Sequence, residues 1–85
     1  MSLKLPASAT LADASALVGQ LGDGVDSVDC AALQNFDTSA IALLLEARRR
    51  AQARGQGFTV RNAPPKLREL ARLYGVESLL SFETT

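Results

Sequence analysis

Residues 28–54 read VDCAALQNFDTSAIALLLEARRRAQAR. The stretch opens as a buried strand, passes through a loop with an acid, and continues as a long helix. The helix is expected to begin at Thr38 or Ser39. Asp37, Thr38 and Ser39 are all able to cap it, because a short side-chain oxygen accepts from the free N–H groups of a first turn. The next residues, Ala40-Ile41-Ala42-Leu43-Leu44-Leu45, contain nothing polar. A helix resting one face on a core needs a single apolar stripe. One that is apolar all round needs cover on its other side as well. Hydroxyls at the head of such a helix are where function is expected.

Outward from this stretch, length and composition set limits. The chain has 85 residues, 47% of them hydrophobic and 21% charged. That suits one ordered domain, residues 1–85, with one modest core. The formal net charge is zero, which gives no reason to bind nucleic acid. Histidine and tryptophan are absent, and Cys30 is the only cysteine. A lone thiol inside an apolar strand reads as a small hydrophobe in a reducing compartment. The N-terminus lacks the apolar run of a signal peptide, and Ala40–Leu45 is too short to span a membrane. A cytoplasmic protein is expected.

In chain order, Leu3-Lys4-Leu5 reads as a strand ended by Pro6. Thr10 to Asp13 resembles a capping box, with Asp13 in place of the usual Glu or Gln. The helix it opens would place Leu11, Ala14, Leu17, Val18 and Leu21 on one face and end at Gly22. Gly22-Asp23-Gly24 reads as a turn, and Val25 to Ala31 as the second strand. The central helix follows and stops near Gly55. Phe58 to Arg61 reads as the third strand. Pro64 and Pro65 open the last long helix, whose inner stripe would be Leu67, Leu70, Ala71 and Tyr74 and which Gly75 would end. Glu77 to Phe82 is expected to add a terminal turn that caps the core. The order β-α-β-α-β-α calls for an α/β fold with a small, mostly parallel sheet.

Charge is uneven. Residues 48–72 hold eight bases against the single acid Glu69, whereas residues 1–45 hold Lys4 against five acids. Such a basic window suits a solvated helix face, or a surface for an acidic partner or lipid headgroups. No catalytic constellation is present: there is no histidine base, no phosphate loop with lysine and no metal-ligand cluster. Neither an enzyme nor a cofactor is expected.

Val28-Asp29-Cys30 and Asp37-Thr38-Ser39-Ala40, with Leu33 and Phe36 between them, resemble the core motif of the STAS domain. The likeness continues through Leu43-Leu44-Leu45, the turn before Phe58, and Leu70-Ala71-Arg72-Leu73-Tyr74-Gly75-Val76. It covers essentially residues 25–80. Within the family the tail is most similar to the small STAS subunit of the bacterial ABC transporter that maintains outer-membrane lipid asymmetry. That resemblance implies a non-enzymatic accessory that binds the ATPase subunit and lies at the inner membrane through its partner, with Thr38 as the residue that matters. The anti-anti-sigma branch implies instead an anti-sigma kinase as partner and phosphorylation at Ser39. A phosphate there would bring about −1.5 to −2 charges beside Asp37 and expel a docked apolar surface. Asp37, Thr38 and Ser39 form the expected partner site, with Ile41 and Leu45 as an exposed ridge beside them. The family begins with a further strand that is reduced or missing here. An unpaired sheet edge invites weak self-association. Ala40 stands where the sigma-factor branch has glycine.

Overall fold

A computed structural model describes residues 2–21 and 24–83. Its strands are β1 (Ser2–Lys4), β2 (Ser8–Ala9), β3 (Ser27–Asp29), β4 (Asn35–Phe36) and β5 (Thr59–Arg61). Its helices are α1 (Ala14–Gly19), α2 (Thr38–Ala53), α3 (Pro65–Leu73) and α4 (Glu77–Leu80), with a 3-10 turn at Leu11–Asp13 ahead of α1. The main sheet is parallel, in the order β1-β3-β5. Its register places Leu3, Val28 and Val60 side by side. Val28 and Val60 are buried in one core with Leu44, Leu67 and Leu80. The alternate positions Ser27, Asp29, Thr59 and Arg61 are half-buried or exposed. One face of the sheet therefore carries the core and the other meets solvent, as period-2 strands require.

The expected strands and long helices are present, with shorter strands than the sequence suggested. Phe82 forms a parallel bridge to Val60, so the chain beyond α4 covers part of the β5 edge. No described strand lies outside β1. A second, two-stranded parallel sheet pairs β2 with β4, and the Ala7 carbonyl accepts the Gln34 and Asn35 N–H groups at 2.8 Å each. Two-residue strands leave no periodicity to read, so this sheet was not expected.

Two features of the helices depart from the expected pattern. Leu11, expected to face inward, is 76% exposed. The Asp13 carboxylate accepts from Ser8 Oγ at 2.7 Å, Thr10 N at 3.1 Å and Thr10 Oγ1 at 3.0 Å. This is the capping box, but the first turn it closes is 3-10, which advances about 120° per residue and rotates Leu11 off the face that carries Leu17. Tyr74, expected in the inner stripe of α3, is 59% exposed. It is the C-cap, where the helix already ends. Gly22 and Asp23, the expected helix stop and turn, lie outside the described residues.

α2 and α3 end alike. Gly55 and Gly75 adopt φ of 72° and 71°. Gln56 N donates to Ala51 O and Val76 N to Ala71 O, each at 2.9 Å. These are Schellman closures, in which a left-handed residue turns the chain and satisfies the last carbonyls.

The terminal turn places Leu80 in the core and leaves Leu79 on the surface. Leu80→Ala should therefore lower stability by about 2–5 kcal/mol, as buried Leu-to-Ala changes do. Leu79→Ala should cost less than about 1 kcal/mol, because little area leaves the core. Urea unfolding of the two variants checks the contrast, and equal losses would mean that α4 does not cap the core.

Candidate functional site

Of the three possible caps for α2, Asp37 takes the role. Its backbone is extended, and its Oδ1 accepts the Ser39 N–H at 2.8 Å. Its other oxygen, Oδ2, accepts the Leu11 N–H at 3.1 Å. One carboxylate thus fixes the start of α2 and ties the 3-10 turn to it. The Leu11 N–H and then the Ser39 N–H hold the Asp37 carboxyl below the usual carboxylate range. Both stabilise its charged form.

Because Asp37 caps the helix, the hydroxyls behind it are released from that duty, and they differ. Thr38 is exposed, and its hydroxyl makes no hydrogen bond within the described residues. Ser39 is half-buried, and its backbone N–H is held by the Asp37 carboxylate. Thr38 is the hydroxyl presented outward.

The expected exposed ridge of Thr38, Ile41 and Leu45 is corrected by helix geometry. Ile41 is 5% exposed and belongs to the core, Ala42 is exposed and Leu45 is half-buried. At 100° per residue, Ile41 lies on the side of Thr38 that turns toward the buried Leu44, while Ala42 lies on the other side. The outward stripe therefore runs Thr38, Ala42, Leu45. Ile41 cannot be touched by a partner without opening the core.

The exposed apolar surface beside Thr38 comes from elsewhere in the chain. Phe36, Asp37 and Thr38 line an open groove of about 500 Å³ whose other wall is α3, through Lys66, Glu69, Leu70 and Leu73. Leu73 is 82% exposed. The exposed Leu11 is tied to the same place through its N–H, which Asp37 holds. Leu11, Phe36, Leu70 and Leu73 are functional candidates that sequence reasoning missed. The one available signal was Leu73, which falls outside the Leu67, Leu70, Ala71 stripe on an otherwise charged face.

The basic window is largely committed to the fold. Glu46 accepts from Arg49 Nε and Nη2 at 2.7 and 2.8 Å and from Arg50 Nε at 2.9 Å. Arg49 first and Arg50 second hold its carboxyl down at about 2. Arg50 also donates to the Leu21 carbonyl and Arg54 to the Val25 carbonyl, pinning the segment before β3. Arg61 pairs with Glu83 at 2.9 Å, and Arg68 lies over the Phe82 ring at 5.6 Å. Lys66 and Arg72 stay exposed without an ion pair among the described residues.

Asp29 accepts from Ala31 N at 2.9 Å and Asn62 Nδ2 at 3.0 Å, a clip between the ends of β3 and β5. Burial pushes the Cys30 thiol up to about 12. Among the described residues no three His, Cys, Asp or Glu side chains gather as metal ligands. The site offers a hydroxyl, a helix head and apolar side chains, which are means of binding.

The profile of the family described as "Mlab, STAS domain" matches residues 1–81. No curated protein matches the chain.

Because the Asp37 carboxyl titrates lower in the fold than in the unfolded chain, its stabilising effect is complete above the unfolded value and fades as pH falls through the folded one. Asp37→Ala should lower the urea midpoint near neutral pH. The gap to the parent should narrow as pH falls below about 4. A gap that stays constant down to about pH 2 would show that the carboxylate charge contributes nothing there.

Proposed function

The chain belongs to the Mlab-type STAS domain family, and on that premise we propose that it is a non-enzymatic accessory subunit that binds the ATPase of a phospholipid-transporting ABC system. In this reading it supports the ATPase of a system that maintains outer-membrane lipid asymmetry, and it resides in the cytoplasm at the inner membrane through that partner. The observation that carries the reading is Thr38: an exposed hydroxyl at the head of α2, free of capping duty, beside the exposed Leu11 and Leu73. An unbonded hydroxyl beside exposed apolar side chains suits a protein interface, where burial of the apolar groups excludes water and the hydroxyl sets register. No described helix is long and apolar enough to cross a membrane, so membrane association in this reading runs through the partner.

A serine-phosphorylation switch at Ser39 has less support. Its side chain is half-buried, and Asp37 holds its N–H. A kinase would have to break these contacts and place a second negative group beside an existing one.

Titration against the ATPase subunit encoded with the transporter tests the reading. Thr38→Arg should weaken binding about tenfold or more, since it forces a charge into a desolvated contact. Circular dichroism should be unchanged, because Asp37 still caps α2. Ser39→Ala should bind within about threefold of the parent. A folded Thr38→Arg that binds normally, with Ser39→Asp failing to bind, would overturn the docking surface in favour of the serine switch. The purified chain alone should hydrolyse neither ATP nor GTP; turnover that survives repurification and disappears in Thr38→Ala would refute the binding-module reading.

A further inference from the structure

We infer that residues 81–83 are a self-masking strap, which fills the hydrogen-bonding edge of β5 and keeps that edge from pairing with the β5 edge of a second copy of the chain.

The backbone of β5 defines what the strap covers. The Thr59 N–H donates to the Asp26 carbonyl, and the Arg61 carbonyl accepts from the Cys30 N–H. In a strand the N–H and C=O of one residue point to the same side, and successive residues alternate sides. Thr59 and Arg61 therefore serve β3, and Val60 between them points its donor and its acceptor away from β3. Val60 is fully buried, so both groups need partners from the chain. The strap supplies them. The Val60 N–H donates to the Ser81 carbonyl at 3.2 Å, and the Glu83 N–H donates to the Val60 carbonyl at 2.8 Å.

The strap is lightly held. One residue pair, Val60 with Phe82, makes the bridge. The Phe82 ring is half-buried against the core, with the Arg68 guanidinium 5.6 Å from its centroid. The Arg61–Glu83 ion pair has side chains 55% and 39% exposed, so solvent screens it and it adds little. Ser81 enters the strap at φ of 50°, a left-handed conformation that a side chain resists. Strain at its root and anchors in solvent make this segment the part of the sheet that opens first.

The edge beneath fits a second copy. One residue with both backbone groups turned outward can lie on a two-fold axis, where Val60 of each copy exchanges both bonds with Val60 of the other in an antiparallel pair. The same axis sets Arg61 opposite Thr59 of the other copy, so like charges do not face each other directly. Uncovered edges join chains, and covering one with a segment of the same chain prevents it.

The test is light scattering and amide hydrogen exchange on the full chain over a concentration series. Glu83→Pro removes the N–H that the Val60 carbonyl accepts and sets a ring against that carbonyl. It should dimerise about tenfold more tightly than the parent, since one lost intramolecular hydrogen bond shifts opening by about that factor. In the dilute variant the Val60 amide should exchange about tenfold faster than in the parent, and it should become protected again as the dimer forms. Phe82→Ser loosens the strap without changing its backbone and should fall between the two. Glu83→Gln keeps the N–H and should match the parent. If Glu83→Pro alone loses the fold, Phe82→Ser decides by the same measurements. Folded variants that associate no more than the parent overturn the inference. So does a dimer in which the Val60 amide stays unprotected, because pairing then runs through another edge such as β1. Loss of helical circular dichroism in both Glu83→Pro and Phe82→Ser overturns it too, since the segment would then be a fixed part of the core.

Discussion

All strands of the main sheet run parallel, and this constraint arranges everything else. Parallel neighbours cannot be joined by a tight turn, so the chain returns across the sheet between them. Long helices α2 and α3 follow β3 and β5, and their heads come to the edge where those strands end. Asp29 and Asn62 meet at that edge, and the head of α2 with Thr38 follows through β4. The site is thus a product of topology before it is a product of particular side chains. The carboxylate of Asp37 then does locally what topology cannot. It sets the first residue of α2 and anchors the 3-10 turn beside it through a second N–H.

The same economy governs charge. Read as a linear string, residues 48–72 look like a basic patch. In the fold, Arg50 and Arg54 donate to backbone carbonyls, and the single negative charge of Glu46 is shared between Arg49 and Arg50. The bases of this window without a hydrogen bond, ion pair or ring contact among the described residues are Arg48 on α2 and Lys66 and Arg72 on α3. A sequence window counts charges without regard to where each side chain goes, and that count overstated the field at the surface.

The alternation of strands and helices, the start of α2 and both glycine stops were legible in the sequence, because each has a short-range cause. Apolar periodicity, a capping carboxylate and a positive-φ glycine act within one or two turns. The misreadings arose where the cause lay at a distance. An α-helical period puts Leu11 inward, but its N–H is tied to the Asp37 carboxylate, 26 residues along the chain, at the start of a 3-10 turn. Ile41 was placed outward because a run of six apolar residues has no visible polar side to orient it. The choice between Ile41 and Ala42 as the exposed neighbour of Thr38 is made by the core, which takes in Ile41. The groove could not be read because Phe36 and Leu73 are far apart in the chain and meet only once α3 lies against α2.

Gly55 and Gly75 have an implication for how the sequence can drift. A Cβ built on either would have nothing within 4 Å of it, so space is not what keeps a side chain out. The obstacle is handedness: an L-residue in that backbone region crowds its own carbonyl oxygen. Neither position need remain strictly glycine. Asparagine, the residue most at ease there, is the natural neighbour in mutational space, whereas valine or isoleucine is the most distant. The chain already contains that substitution in kind, at Asn62, which turns the corner after β5 with φ of 55° and gains from its side chain the clasp on Asp29 that a glycine could not make.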